Sequence, residues 1–239
     1  MLSMKLTVFT FVAGAGKSVL SYVDHPFFSF SDCNHLPSPS SSIIQDIRGM
    51  CTTGLASLAF FYCDFREDRK KSLRGLLSSL LVQLCDQSDA YYAELTSFYS
   101  VHRNGEQHAS DSELLQCLLR MLELPGQATA YIIIDALDEC PTSGLPSPRE
   151  SVVGLVEKLV KLRAPNLRIC VTSQPEADIE PIIGPIASHS VSLHRESGQL
   201  QDIAEYVKFI VNTDRKMQIW RKEDREFVIE VLTRRADGM

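Results

Sequence analysis

Lys17 and Asp135 are the residues whose types and settings point most directly to chemistry. Gly14-Ala15-Gly16-Lys17-Ser18 is a glycine-rich run that ends in a cation and a hydroxyl. Glycines placed after a strand let the backbone fold back, so that its N–H groups turn inward toward phosphate oxygens. A helix that follows adds its positive N-terminal end. In such a loop Lys17 pairs with the β- and γ-phosphates and the Ser18 hydroxyl joins a magnesium shell. Gly14, Ala15, Gly16, Lys17, Ser18 and Val19 are therefore the candidate residues for holding a nucleotide tail. The full pattern is G-x-x-x-x-G-K-[ST], and its first position here is Phe11 rather than glycine. The alternative is a chance A-G-A-G-K-S run.

A second run supports the first. Tyr131-Ile132-Ile133-Ile134-Asp135 reads as a buried strand ending in an acid. Such a strand delivers the Asp135 carboxylate to its C-terminal edge, where it can hold magnesium together with Ser18. Asp138 and Glu139 follow three and four residues on, close enough to orient or activate an attacking water. The competing reading makes them an exposed turn before Cys140-Pro141. A further strand, Leu167 to Thr172, leads into Ser173-Gln174-Pro175. In a parallel sheet its tip neighbours the acid strand, which makes Thr172, Ser173 and Gln174 candidate polar sensors of the γ-phosphate. An ordinary strand exit is the alternative. Asp64, Phe65 and Arg66 end another strand and read more readily as structural.

These residues need a scaffold, and the composition allows one. The chain has 239 residues, 44% apolar and 23% charged, with a net charge of −6. That suits one α/β domain with a small appendage. The acidic balance argues against nucleic acid as partner. Seven scattered cysteines without a C-x-x-C pair read as reduced core thiols, hence a cytoplasmic chain. No run reaches the ~20 apolar residues of a membrane span. Residues 1–15 pass for a secretory signal. Cleavage there would remove the loop that the acid strand requires, which favours a buried first strand instead.

Strands and helices alternate along the chain. Strands are expected at Leu6–Val12, Ala56–Asp64, 130–135, Leu167–Thr172 and Val191–Leu193. Helical stripes run through Ile43, Ile44, Ile47 and Met50, and through Leu73 to Leu84. Ser110 with Glu113, and Ser147 with Glu150, are capping boxes that open two more helices. Further helices are expected near 88–100, 200–212 and 223–235. Residues 21–40, rich in Pro and Ser, interrupt the helix behind the glycine loop and read as an insertion or a long surface loop. The expected architecture is a parallel sheet covered by helices on both faces. A nucleotide-binding core would occupy 1–195 and an incomplete helical lid 196–239.

The runs A-G-A-G-K-S-V-L, F-Y-C-D-F-R, G-L-L-S-S-L-L-V-Q-L, Y-I-I-I-D-A-L-D-E-C and I-C-V-T-S-Q-P-E-A-D-I together resemble the NACHT domain. The nephrocystin-like type, abundant in fungal NOD-like receptors within the STAND class of P-loop NTPases, is most similar. The resemblance implies binding of ATP or GTP with Mg2+, slow hydrolysis and a nucleotide-gated switch. It leaves self-association through this domain open. The sequence departs from the family at Phe11, at residues 21–40, at Gln174, where the family commonly has arginine, and in an incomplete C-terminal lid. Those departures motivate a second reading as a non-hydrolysing interaction scaffold. A small-molecule P-loop kinase is a third, which would need a lid bearing arginines.

Overall fold

The computed structural model describes residues 5–10, 39–64, 66, 72–192, 205, 207–214 and 216–235. Five strands alternate with helices in these segments: β1 (Lys5–Thr10), α1 (Pro39–Thr52), β2 (Ala56–Tyr62), α2 (Leu73–Cys85), α3 (Asp89–Val101), α4 (Asp111–Glu123), β3 (Thr129–Asp135), α5 (Pro148–Lys161), β4 (Leu167–Ser173), the short α6 (Glu180–Ile183) and β5 (His189–Ser192). Residues 207–213 are helical, and α7 (Lys222–Arg235) follows.

The strands form one parallel sheet in the order β2-β3-β4-β1-β5. Parallel neighbours need crossovers, and crossovers of this kind are almost always right-handed. The connection from β1 to β2 runs outward past β4 and β3 to the sheet edge. Every later connection runs back the other way. The same handedness therefore puts α1 on one face and the later helices on the other.

Side-chain alternation along the strands matches this division. Leu6, Val8, Ala59, Phe61, Ile132, Ile134, Ile169 and Val171 pack under the leucines of α2 and α4 and the valines of α5. Leu58 and Ile133 meet Ile44 and Ile47 of α1, with Phe60, Tyr62, Tyr131 and Cys170 beside them. The leucine stripe of α2 is core as expected: Leu76, Leu77, Leu80 and Leu84 are all 0% exposed. Full burial of one such side chain is worth about 1.5–3 kcal/mol.

Local signals set the helix ends. Both expected capping boxes are present, with Ser110 and Glu113 closing the start of α4 and Ser147 and Glu150 that of α5. Ser72 and Ser88 cap α2 and α3 through single side-chain bonds. α1 starts at Pro39, within the last two residues of the expected interruption at 21–40. A proline is tolerated in a first turn because its missing N–H has no helical partner there. Residues 39 and 40 thus belong to α1. The rest of the expected insertion, and the domain boundary at 195, lie outside the described residues.

Among the described residues the outer edge of β2 has no strand neighbour, and α2 supplies a substitute. Gln83 Oε1 accepts from Phe60 N–H at 3.1 Å and its Nε2 donates to Phe60 O at 2.8 Å. One helical turn on, Gln87 does the same for Leu58, at 2.8 and 2.6 Å. Two side-chain amides thereby satisfy the backbone groups that an adjacent strand would otherwise pair. Trp220 lies in the turn before α7 and is 41% exposed. No helix among the described residues is long and apolar enough to cross a membrane.

Candidate functional site at the C-terminal edge of the sheet

Because all the strands are parallel, their C-terminal ends share one edge, where ligands bind in open α/β sheets. Register places the ends side by side. Thr10 of β1 pairs with Ser173 of β4, and Ile134 of β3 pairs with Val171, which brings Asp135 next to Thr172. The chain leaving Thr10 toward Gly14–Ser18 therefore departs from the edge that carries Asp135, with β4 between the two. Gly14, Ala15, Gly16, Lys17, Ser18 and Val19, together with Phe11, lie outside the described residues.

Asp135 is 2% exposed. It lies two residues beyond Ile133, hence on the face covered by α1, opposite Tyr62. Its Oδ1 accepts from the Thr172 hydroxyl at 2.5 Å. That same hydroxyl oxygen accepts from Ala136 N–H at 2.8 Å. The backbone carbonyl of Asp135 accepts from Cys63 N–H at 3.0 Å. The buried negative charge is felt nearby. Burial, with Asp135 second, pushes the Tyr62 phenol up to about 12. The Cys170 thiol goes up to about 12 for the same two reasons.

Beyond Asp135 the chain turns sharply. Ala136 adopts the left-handed conformation, with φ 55°. A β-branched or bulky side chain is poorly accommodated there. A single 3-10 turn, Leu137–Glu139, follows and is anchored by Leu137 at 0% exposure. Asp138 and Glu139 are consequently held half-buried at the sheet edge. Asp138 Oδ1 accepts from Gln174 N–H at 3.0 Å, which ties the acid turn to the β4 exit.

Thr172 and Gln174 bond to these acids, and Ser173 lies between them in the chain. The Thr172 hydroxyl is engaged by Asp135 and Ala136. Ser173 Oγ donates to Gln174 O at 2.8 Å and is 2% exposed. Asp64 and Arg66 close on each other, with Nε on Oδ1 and Nη2 on Oδ2 both at 3.0 Å. That local fork agrees with their structural reading. Phe65 lies outside the described residues.

Two features escaped the sequence reading. Arg149 sits in the capping box of α5, and its guanidinium spans the site's support. Nε donates to Cys140 O at 3.0 Å, Nη2 donates to Asp138 O, and Nη1 meets Asp178 at 3.1 Å. It thereby staples the turn after β3 to the loop after β4. The run Ser147-Pro148-Arg149-Glu150 announces a cap, and nothing in it announces a clamp. The second feature is a thiol pair. Cys63 and Cys140 are both buried, and a hydrogen bond to Cys140, together with burial, pushes the Cys63 thiol well up. Free thiols are what the scattered cysteines suggested, and the six described ones are free.

A magnesium ion fits the donor set at Asp135, since the ion prefers oxygen ligands and usually takes one or two carboxylates plus substrate phosphates. Among the described residues, no cluster of three or more His, Cys, Asp or Glu forms an all-protein metal cage.

Solved structures similar to this chain include Drosophila ORC bound to DNA, at 11% identity and a TM-score of 0.52, covering 97% of this chain and 46% of that one. Aeropyrum pernix ORC1 in complex with DNA is similar at 11% identity and a TM-score of 0.46, covering 84% and 43%. Aeropyrum pernix ORC2, in ADPNP-ADP complexes, is similar at 14% identity and a TM-score of 0.44, covering 84% and 45%. The chain thus spans less than half the length of each. At such identities the likeness is one of fold alone, a parallel sheet with flanking helices. No curated protein matches the sequence. The family described as Nephrocystin 3, N-terminal matches residues 39–174, a stretch that takes in the acid strand and the tip of β4 and begins beyond the glycine loop. With more than half of its length so matched, the chain belongs to the nephrocystin 3 N-terminal family.

Proposed function

We propose that this chain is a nucleotide-binding NACHT module of a STAND-type signalling protein, holding ATP or GTP with Mg2+ and hydrolysing it slowly as a conformational switch. The observation that carries this reading is positional. Asp135, buried at the C-terminal end of β3, shares a sheet edge with the end of β1, whose chain runs on into Gly14–Ser18. That shared edge supports a cation-bearing loop and a carboxylate, far apart in sequence, acting on one nucleotide.

In this reading Ser18 and Asp135 hold the magnesium ion and Lys17 neutralises the phosphate tail. Magnesium, when bound, offsets the charge that gathers on the phosphate oxygens. Asp138 and Glu139 orient the attacking water. Their half-buried places on an anchored turn suit that task, because phosphoryl transfer depends chiefly on positioning. The net charge of −6, without a basic stripe, weighs against a nucleic acid as the ligand.

Calorimetric titration with ATP and with GTP, with and without magnesium, tests the reading. The wild-type chain is expected to bind one of them in a magnesium-dependent way, and Lys17→Ala to abolish binding. Unchanged affinity in the mutant overturns the proposal. A scaffold that binds without hydrolysing is the second reading. It is favoured by Gln174, which offers no side-chain cation where the resembling family has arginine. Phosphate release by the wild-type chain would exclude it.

A further inference from the structure

We propose that Thr172 is a positioning residue for the divalent cation that accompanies the nucleotide, acting through Asp135. The inference rests on the nucleotide reading above. It assigns Thr172 a task other than contact with the γ-phosphate.

The argument starts from proton counting. A threonine hydroxyl has one proton to donate and lone pairs to accept with. Ala136 N–H occupies the acceptor side at 2.8 Å, and Asp135 Oδ1 takes the proton at 2.5 Å. The hydroxyl therefore cannot rotate toward another acceptor without giving up the Asp135 bond. A separation of 2.5 Å belongs to the short, charge-assisted class of O–H···O− bonds. Thr172 is itself 1% exposed, and its β-branched side chain has little χ1 freedom. A stiff, buried donor on one strand thus holds Oδ1 of its neighbour's carboxylate in place.

The surrounding backbone makes this contact specific. β4 separates β1 from β3, and Thr172 pairs with Phe9 of β1. The residue that orients Asp135 is therefore built into the strand that touches both halves of the candidate site. On the other side, Ala136 is held in the left-handed region at φ 55°, a conformation that persists when its surroundings fix it. Its N–H bond to Thr172 is part of that fixation. Groups that hydrogen-bond a metal-ligating carboxylate orient it before the ion arrives, and their loss typically costs about 10–100-fold in metal affinity.

Two substitutions in the full chain separate orientation from packing. Thr172→Val keeps the shape and removes the hydroxyl. Thr172→Ser keeps the hydroxyl and removes a methyl group. Binding of a methylanthraniloyl derivative of ATP is followed by fluorescence while magnesium is titrated, and again in excess EDTA. Thr172→Val is expected to raise the half-saturating magnesium concentration by about 10–100-fold, leaving metal-free nucleotide binding at the wild-type level. Thr172→Ser is expected to retain the wild-type magnesium requirement.

A wild-type magnesium dependence in Thr172→Val overturns the inference while leaving the nucleotide reading intact. So does equal weakening with and without magnesium, which would mark a purely structural role. If circular dichroism shows that Thr172→Val does not fold, Thr172→Ser decides. A wild-type requirement in that variant supports the inference, and a tenfold or larger shift overturns it. Wild-type protein that takes up no nucleotide at any magnesium concentration sinks the nucleotide reading and this inference together.

Discussion

On one face of the sheet, leucines from α2 and α4 and valines from α5 lie over Ala59, Phe61, Ile132, Ile134, Ile169 and Val171. On the other, α1 covers β2 and β3 with a smaller apolar cluster, and Asp135, Thr172, Tyr62 and Cys170 lie along it. The first face is mainly apolar, and its buried polar strand residues are the small hydroxyls Ser57 and Ser173. The second carries a buried carboxylate and the hydroxyl that grips it. Burying a charge is costly unless it is hydrogen-bonded, so the chemistry sits on the thinner layer, where the sheet edge is close. The buried carboxylate and the larger apolar core thereby lie on opposite sides of the same strands, so a cut in the core away from the sheet edge should leave the carboxylate in place.

The sharpest way to break that division is Leu80→Ala, in the middle of the thick layer. Leu80 is 0% exposed, and its truncation is expected to cost about 2–5 kcal/mol in urea unfolding. Nucleotide affinity per folded molecule should stay at the wild-type value. A large loss of affinity at matched folded fraction would mean that the two faces are coupled.

A smaller effect is expected where α2 reaches round the edge of β2. Replacing Gln83 and Gln87 with alanine removes the bonds to Phe60 and Leu58. Each lost partner should cost about 0.5–1.5 kcal/mol. Hydrogen exchange at the amides of Leu58 and Phe60 should quicken selectively. Uniform quickening across β2 would show that the glutamines hold the whole strand rather than its outer edge.

The smallest effect concerns acid. Hydrogen bonds from the Ser110 side chain and backbone, with His102 beside them, pull the Glu113 carboxyl down from 4.5 to about 2. A carboxyl whose value is lowered by folding stabilises the fold above its unfolded value. That contribution is lost as pH falls from about 4.5 to about 2. Thermal melting between pH 5 and pH 2.5 should therefore decline less steeply in Glu113→Gln than in the wild type. Identical slopes would remove Glu113 from the acid response.

Much of this layout was legible in the residues. Alternating apolar runs announced the strands and helices, and S-x-x-E patterns announced two caps, because both signals are local. Asp135 was legible as the end of a four-residue apolar run. What escaped was tertiary. Which strand is an edge depends on strand order, so the pairing of Gln83 and Gln87 with β2 could not be read from one helix. That Thr172 grips Asp135 could not be read either, because the bond requires the register of β4 on β3. Arg149 was absorbed into its cap for the same reason. Residues 14–19 carry the clearest motif in the chain, and their placement lies outside the described residues.

The strand order has a further consequence, for how the chain is made. β1 is synthesised first, yet its partners are Arg168–Ser173 and His189–Ser192. On the ribosome it must wait, unpaired, while β2 and β3 and their helices emerge. Such long-range pairing slows folding and leaves apolar strand surface exposed to wrong partners in the meantime. Nascent protein should therefore be most dependent on chaperones until β4 leaves the exit tunnel, and the strand that leads to Lys17 is the last central one to be locked in place.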